Sequence, residues 1–278
     1  MAQTSHSKWR NIFIFVIGVL IIGNLAGIYF HAADGLGGLV FILSPVVMAL
    51  ALRGFAGDGW GEIGLNLGRG RVETSYTIAA LLFPVVLAAT VGFGLMSGQV
   101  SVTSDGLSTY LGLIAATAVP IILFAFCEEF GWRGYLDPKL ADLGVSLPGR
   151  AGIVGMVWVL WHIGYIHANP DLFSTLPKLV FWPLMITSTF AMAVIYAVLR
   201  ERTRSIWPAV IAHALANILT RPLVSDPVLD VNAPLIFAPR PEGLIMWVSL
   251  ALVATLVWRW HQSVETRSTS PAVNSTKP

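Results

Sequence analysis

The chain has 278 residues, 55% hydrophobic and 12% charged, with a mean hydropathy of +0.73 and a formal net charge of +2. Soluble domains carry about 25% charged residues, so this composition excludes an ordinary soluble globule and points to an integral membrane protein. The single cysteine excludes an internal disulfide, and no Cys/His cluster suggests a zinc module.

In chain order, apolar runs predict membrane-crossing helices near 11–30, 36–53, 75–97, 108–136, 150–168, 177–199, 205–220 and 242–260. The fourth is long and is expected to emerge from the membrane before Pro138 stops it. The seventh is short and holds His213 and Asn217, so the count is about eight, with seven as the alternative. Trp9, Trp182, Trp258 and Trp260 near the run ends fit interfacial anchors. The predicted fold class is therefore all-α, a polytopic transmembrane helix bundle forming one domain over 1–261. Its motif core covers about 120–220, and a Ser-, Thr- and Pro-rich tail over 262–278 is expected to be disordered.

With the N-terminus inside, 14 of the 17 basic residues fall on cytoplasmic segments, and only Lys178, Arg221 and Arg240 fall outside. The positive-inside rule thus predicts a multi-pass protein of the cell membrane with both termini cytoplasmic. The first apolar run is longer than the 7–15 residues of a signal-peptide core, which favours an uncleaved anchor.

Three segments carry polar side chains into the apolar runs. The first is Cys127-Glu128-Glu129-Phe130-Gly131-Trp132-Arg133. Glu129 and Arg133 are four apart on a helix and can form a structural ion pair, whereas Glu128 has no partner within the segment. The second is Trp158-Val159-Leu160-Trp161-His162, and in the third His213 and Asn217 share a helix face. Counted from Lys139, Arg150 and Arg204, the three ionisable groups sit at depths of roughly 16, 18 and 13 Å. Carboxylates and histidines near lipid are costly, and their coincidence in depth suggests one site. A carboxylate can serve as general base to a water, and a His with an amide one turn on supplies donors for an oxyanion. Base, water and donors together describe hydrolysis of an acyl bond.

Plainer readings exist for each group. Glu128 and Glu129 could be a helix-end pair at the headgroups, and His162, His213 and Asn217 could be interhelical hydrogen-bonding residues. Cys127 reads as a small buried hydrophobe, and His6, His31, His167 and His261 as solvated residues near span ends. Gly59-x-Gly61-x-x-Gly64 lacks the strand–turn–helix context of a dinucleotide motif and reads as a flexible loop. Arg69 and Arg71 suit anionic headgroups rather than nucleic acid, for which no site is expected. Pro120 and Pro208 precede motif residues and are expected to kink their helices.

The order Glu-Glu-x-x-x-Arg, aromatic-x-x-x-His, His-x-x-x-Asn resembles the CPBP family of CAAX-protease and bacteriocin-processing intramembrane proteases, also called Abi proteins. With Trp60 and Ile63-Gly64-Leu65 included, the resemblance spans about 60–220. It implies water activation by Glu128 and His162, an oxyanion site at His213 and Asn217, and structural roles for Glu129 and Arg133. Where the family usually has Phe, this chain has Trp158, expected to act as an aromatic cavity wall rather than as a polar group.

The expectation is an intramembrane endopeptidase with a cavity open toward the cytoplasmic leaflet, acting on a peptide or protein substrate at the lipid bilayer. No cofactor is required by this reading. The alternative is a divalent metal, with Glu128, His162 and His213 as three zinc ligands beside one open position; no His-Glu-x-x-His helix occurs. Competing functions are a proton-coupled transporter using the same residues as a relay, and a non-catalytic peptide-binding immunity or scaffold protein.

Overall fold

The computed structural model describes residues 4–29, 35–69, 72–169, 174–225 and 228–269. His31, Arg71 and the tail beyond 269 lie outside these residues. The long helices are α1 (Ser5–Tyr29), α2 (Leu36–Phe55), α3 (Glu73–Met96), α4 (Gly106–Gly131), α6 (Leu147–Ala168), α7 (Lys178–Thr203) and α11 (Leu244–Thr269), the last preceded by the single turns α9 (Pro222–Ser225) and α10 (Pro234–Phe237). Among the described residues seven stretches are long and apolar enough to cross a membrane, and α8 (Trp207–Thr220) is a shorter apolar helix. At 1.5 Å per residue α8 is about 21 Å long, short of the roughly 30 Å hydrocarbon layer. Helices win throughout these runs because only internal hydrogen bonding satisfies the backbone in lipid.

Two boundaries correct the sequence reading. Pro138 does not stop the fourth span. A π-helical turn at Trp132–Leu136 follows α4, and the chain re-enters a helix at α5 (Asp137–Ala141) with Pro138 in its first turn, where the missing N–H costs nothing. The last helix runs on to Thr269, so the first residues of the expected tail are helical. A two-stranded antiparallel sheet, unforeseen in the sequence, joins β1 (Val100–Val102) to β2 (Leu229–Val231).

Short connections make successive helices alternate in direction. The start of α1, the 56–69 and 142–146 connections and the α7–α8 junction gather at one end, as the Lys8–Asp142 pair (3.9 Å) and the Ile206 N to Gly64 O bond (2.9 Å) show. Arg202 lies over the Trp260 ring at 5.3 Å, so α11 also finishes near this base-rich end. The sheet and the 234–243 segment cap the other end, where Ser188 Oγ donates to the Pro241 carbonyl (2.6 Å).

Close approach fixes the α1–α6 contact. A Cβ on Gly27 would sit 2.5 Å from Tyr165 N, and one on Gly164 would sit 2.6 Å from Asn24 O. In that space Asn24 bridges the helices, accepting from Gly164 N (2.6 Å) and donating to Leu160 O (3.1 Å). Small residues paired with a polar bridge are the usual means of joining helices in lipid.

The glycine-rich segment around 58–66 is clamped, contrary to its reading as a flexible loop. Buried Arg53 donates to Gly59 O (2.6 Å), Gly61 O (2.9 Å) and Gly134 O (2.6 Å), and Arg200 donates to Glu62 O (2.7 Å) and Arg133 O (3.0 Å). Tyr135 Oη donates to Asp58 Oδ2 (2.6 Å) and Trp207 Nε1 to Leu65 O (2.8 Å). Gly64 takes a φ of +81°, where a Cβ would meet Arg204 O at 2.8 Å. Carbonyls loosened by the π turn find arginine donors in this way, and the segment roofs the base-rich end of the bundle.

Candidate active site

The three polar segments converge. Glu128 and Glu129 come from the last turn of α4, Trp158 and His162 from α6, and His213 and Asn217 from α8. Glu128, Glu129 and His213 are buried, at 4%, 0% and 6% exposure. Arg133 Nη1 lies 3.1 Å from Glu129 Oε1 and 3.0 Å from Oε2, so the ion pair read from the i, i+4 spacing is present. Its guanidinium carbon also lies 5.1 Å from the Trp158 ring centre and 5.0 Å from that of Tyr196. Two aromatic faces therefore share a charge that is out of water.

Glu129 does more than neutralise Arg133. Its Oε1 lies 2.9 Å from His213 Nδ1, while His213 Nε2 is 3.9 Å from Glu128 Oε1. An ionised Glu129 can only accept, so the Nδ1 proton is committed to it and Nε2 is the atom presented toward Glu128. His162 is fixed similarly. Its Nδ1 is 2.8 Å from the Trp158 carbonyl, which accepts, so neutral His162 keeps a lone pair on Nε2. The ring is held edge-on by Trp161 (4.8 Å) and Phe41 (5.6 Å).

Trp158 corrects the expectation of a purely apolar wall. Its indole Nε1 donates to Glu128 Oε2 at 3.1 Å, so the position supplies a polar donor as well as a ring. Asn217 sits one turn beyond His213, and its carboxamide makes no hydrogen bond among the described residues.

A cavity of about 540 Å³ is lined by Glu128, Trp158, His162, His213 and Asn217 together with apolar side chains of α2, α4 and α7. Among the described residues, none of those lining it comes from the 56–69, 142–150 or 200–206 segments. The lining runs instead to Gly35, Thr220, Arg221 and Arg240–Glu242, at the opposite end. These lining residues place the cavity toward the end of the bundle away from the base-rich segments. Two of the three basic residues that break the charge asymmetry, Arg221 and Arg240, line this cavity; their exceptional placement was a signal available in the sequence. Burial pushes the Glu242 carboxyl above the usual range, with Arg240 opposing, and pushes Arg240 below its own.

Other assignments divide. Pro208 starts α8 rather than kinking it, while Pro120 lies inside α4. Cys127 is half-buried, and His6 and His167 are exposed. His261 is buried and paired with Glu265 at 3.2 Å, which corrects its reading as solvated. Among the described residues no three His, Cys, Asp or Glu side chains are grouped to hold a metal ion.

Fold and site together define a polytopic all-α membrane protein with a charged, aromatic-walled cavity between its helices. Residues 110–219 match the family described as type II CAAX prenyl endopeptidase Rce1-like, in agreement with the motif resemblance. The matched stretch contains Glu128, Glu129, Arg133, Trp158, His162, His213 and Asn217, and the Trp60–Leu65 segment precedes it. No curated protein matches the chain.

Proposed function

We propose that this chain is an intramembrane endopeptidase in which Glu128 and His162 activate a water while His213 and Asn217 hold the oxyanion. The observation that carries the reading is the convergence of these four side chains on one cavity within the segment that matches the Rce1-like family.

In this reading His213 carries a proton, so that Arg133, Glu129, His213 and Glu128 sum to zero, as a poorly hydrated site favours. With its Nδ1 proton held by Glu129, His213 donates from Nε2 as an imidazolium. His162 Nε2 accepts one water hydrogen, and Glu128 takes the other proton as the water oxygen attacks the scissile carbonyl carbon. The tetrahedral oxyanion is held by His213 and the Asn217 amide. On collapse the C–N bond breaks, Glu128 returns its proton to the leaving amine, and the second fragment departs as a carboxylic acid. Every step uses side chains of this chain.

The substrate class is a peptide or protein segment at the bilayer. By the positive-inside asymmetry the base-rich end, with both termini, faces the cytoplasm of a cell-membrane protein. The test is proteolysis of a fluorogenic peptide library by purified protein in lipid, with Glu128→Ala and chelator arms. Cleavage lost in the variant and retained with chelator supports the mechanism. Cleavage lost with chelator overturns its metal-free form. Absence of cleavage together with proton-coupled solute flux in liposomes favours the transporter, and peptide binding without turnover favours the scaffold.

A further inference from the structure

Trp158 contacts three of the four residues of the proposed machinery, Glu128, His162 and His213. Its indole N–H donates to Glu128 Oε2 (3.1 Å), and its backbone carbonyl accepts the His162 Nδ1 proton (2.8 Å). Its ring meets His213 at 5.3 Å and 60°, and lies under the Arg133 guanidinium. The side chain is 3% exposed and sits against Tyr196 at 6.1 Å, so the indole has little freedom to swing away.

The consequence falls on the two oxygens of Glu128. A carboxylate without a donor can rotate about its last bond and share a proton between both atoms. One donor on Oε2 breaks that equivalence. Oε1 then remains on the His213 side, 3.9 Å from Nε2 and too far for a hydrogen bond, with its lone pairs free to receive a proton. Phenylalanine at this position would keep the wall and lose the donor.

We propose that Trp158 is a positioning residue of this site: its indole N–H fixes the Glu128 carboxylate so that Oε1 is the proton-accepting oxygen, while its carbonyl sets the tautomer of His162. The inference rests on the endopeptidase reading for its kinetic meaning, but the hydrogen bond can be tested without turnover. Because the carbonyl survives side-chain replacement, Trp158→Phe isolates the indole. A second variant carries benzothienylalanine at 158, the same bicycle with sulfur in place of N–H.

Kinetics with a cleaved peptide should show kcat reduced about tenfold or more in both variants, the scale of one lost hydrogen bond to a charged group, with KM within about twofold. Wild-type kcat in the sulfur isostere, or a loss confined to KM, would overturn the positioning role. Indole N–H resonances of ¹⁵N-labelled protein in detergent supply the second readout. The peak that disappears in Trp158→Phe should move upfield in Glu128→Ala. A peak indifferent to Glu128→Ala overturns the hydrogen bond whatever the kinetics. A responsive peak in a protein that cleaves no peptide leaves the contact standing and counts against the endopeptidase reading instead.

Discussion

Arg133→Met should unfold this protein far more readily than a surface change, and the cause can be separated from loss of activity. Arg133 and Glu129 are 1% and 0% exposed, and removing the cation leaves two buried carboxylates, Glu128 and Glu129, to share His213, so one negative charge is uncompensated. Breaking a buried pair in this way costs about 3–5 kcal/mol, and the loss of contacts to two aromatic faces adds about 0.5–2 kcal/mol. Replacing both partners with apolar residues, Glu129→Leu with Arg133→Met, should return stability to within about 2 kcal/mol of wild type, because no unpaired charge remains. The double variant should stay inactive, since His213 Nδ1 loses its acceptor. Unfolding free energies of all four proteins by steric trapping in bicelles, with peptide turnover on the same samples, complete the cycle. Single-variant costs below about 1 kcal/mol, or a double variant as unstable as the sum of the singles, would refute the buried-pair reasoning.

Two further outcomes follow from other parts of the molecule. Gly27→Leu inserts a side chain where a Cβ already lies 2.5 Å from Tyr165 N, so α1 and α6 must part. A loss of about 1–3 kcal/mol by the same unfolding assay is expected, with reduced turnover as the Phe41–Trp161 wall beside His162 shifts. At the cavity rim, Glu242 holds its proton more tightly folded than unfolded. Its contribution is therefore fully present below the unfolded carboxyl pKa of about 4.3 and is lost as pH rises through the higher folded value. Melting curves across that window should show wild-type stability falling more steeply with rising pH than in Glu242→Gln; equal slopes would contradict this.

The spans were legible because a membrane helix announces itself by length and hydropathy, and Glu129–Arg133 was legible because helical spacing alone brings them together. What lay beyond reach depended on pairings between distant segments. Nothing local to Pro138 shows that a π turn before it lets the chain restart a helix. The glycine-rich stretch looked loose because its anchors, Arg53 and Arg200, reach it from other helices. Glu129 was read as spent on Arg133, since its second partner, His213, is 84 residues away. Trp158 was read by its ring, and only the placement of α6 against α4 shows where its N–H points.

The most direct test of the account is turnover of a cleaved peptide by Glu128→Gln in proteoliposomes, because the amide keeps the shape of the carboxylate and removes only its basicity. The account predicts a folded protein with kcat reduced by roughly 10²–10⁴ or more. Turnover within about tenfold of wild type would contradict it, since no general base at Glu128 could survive that result.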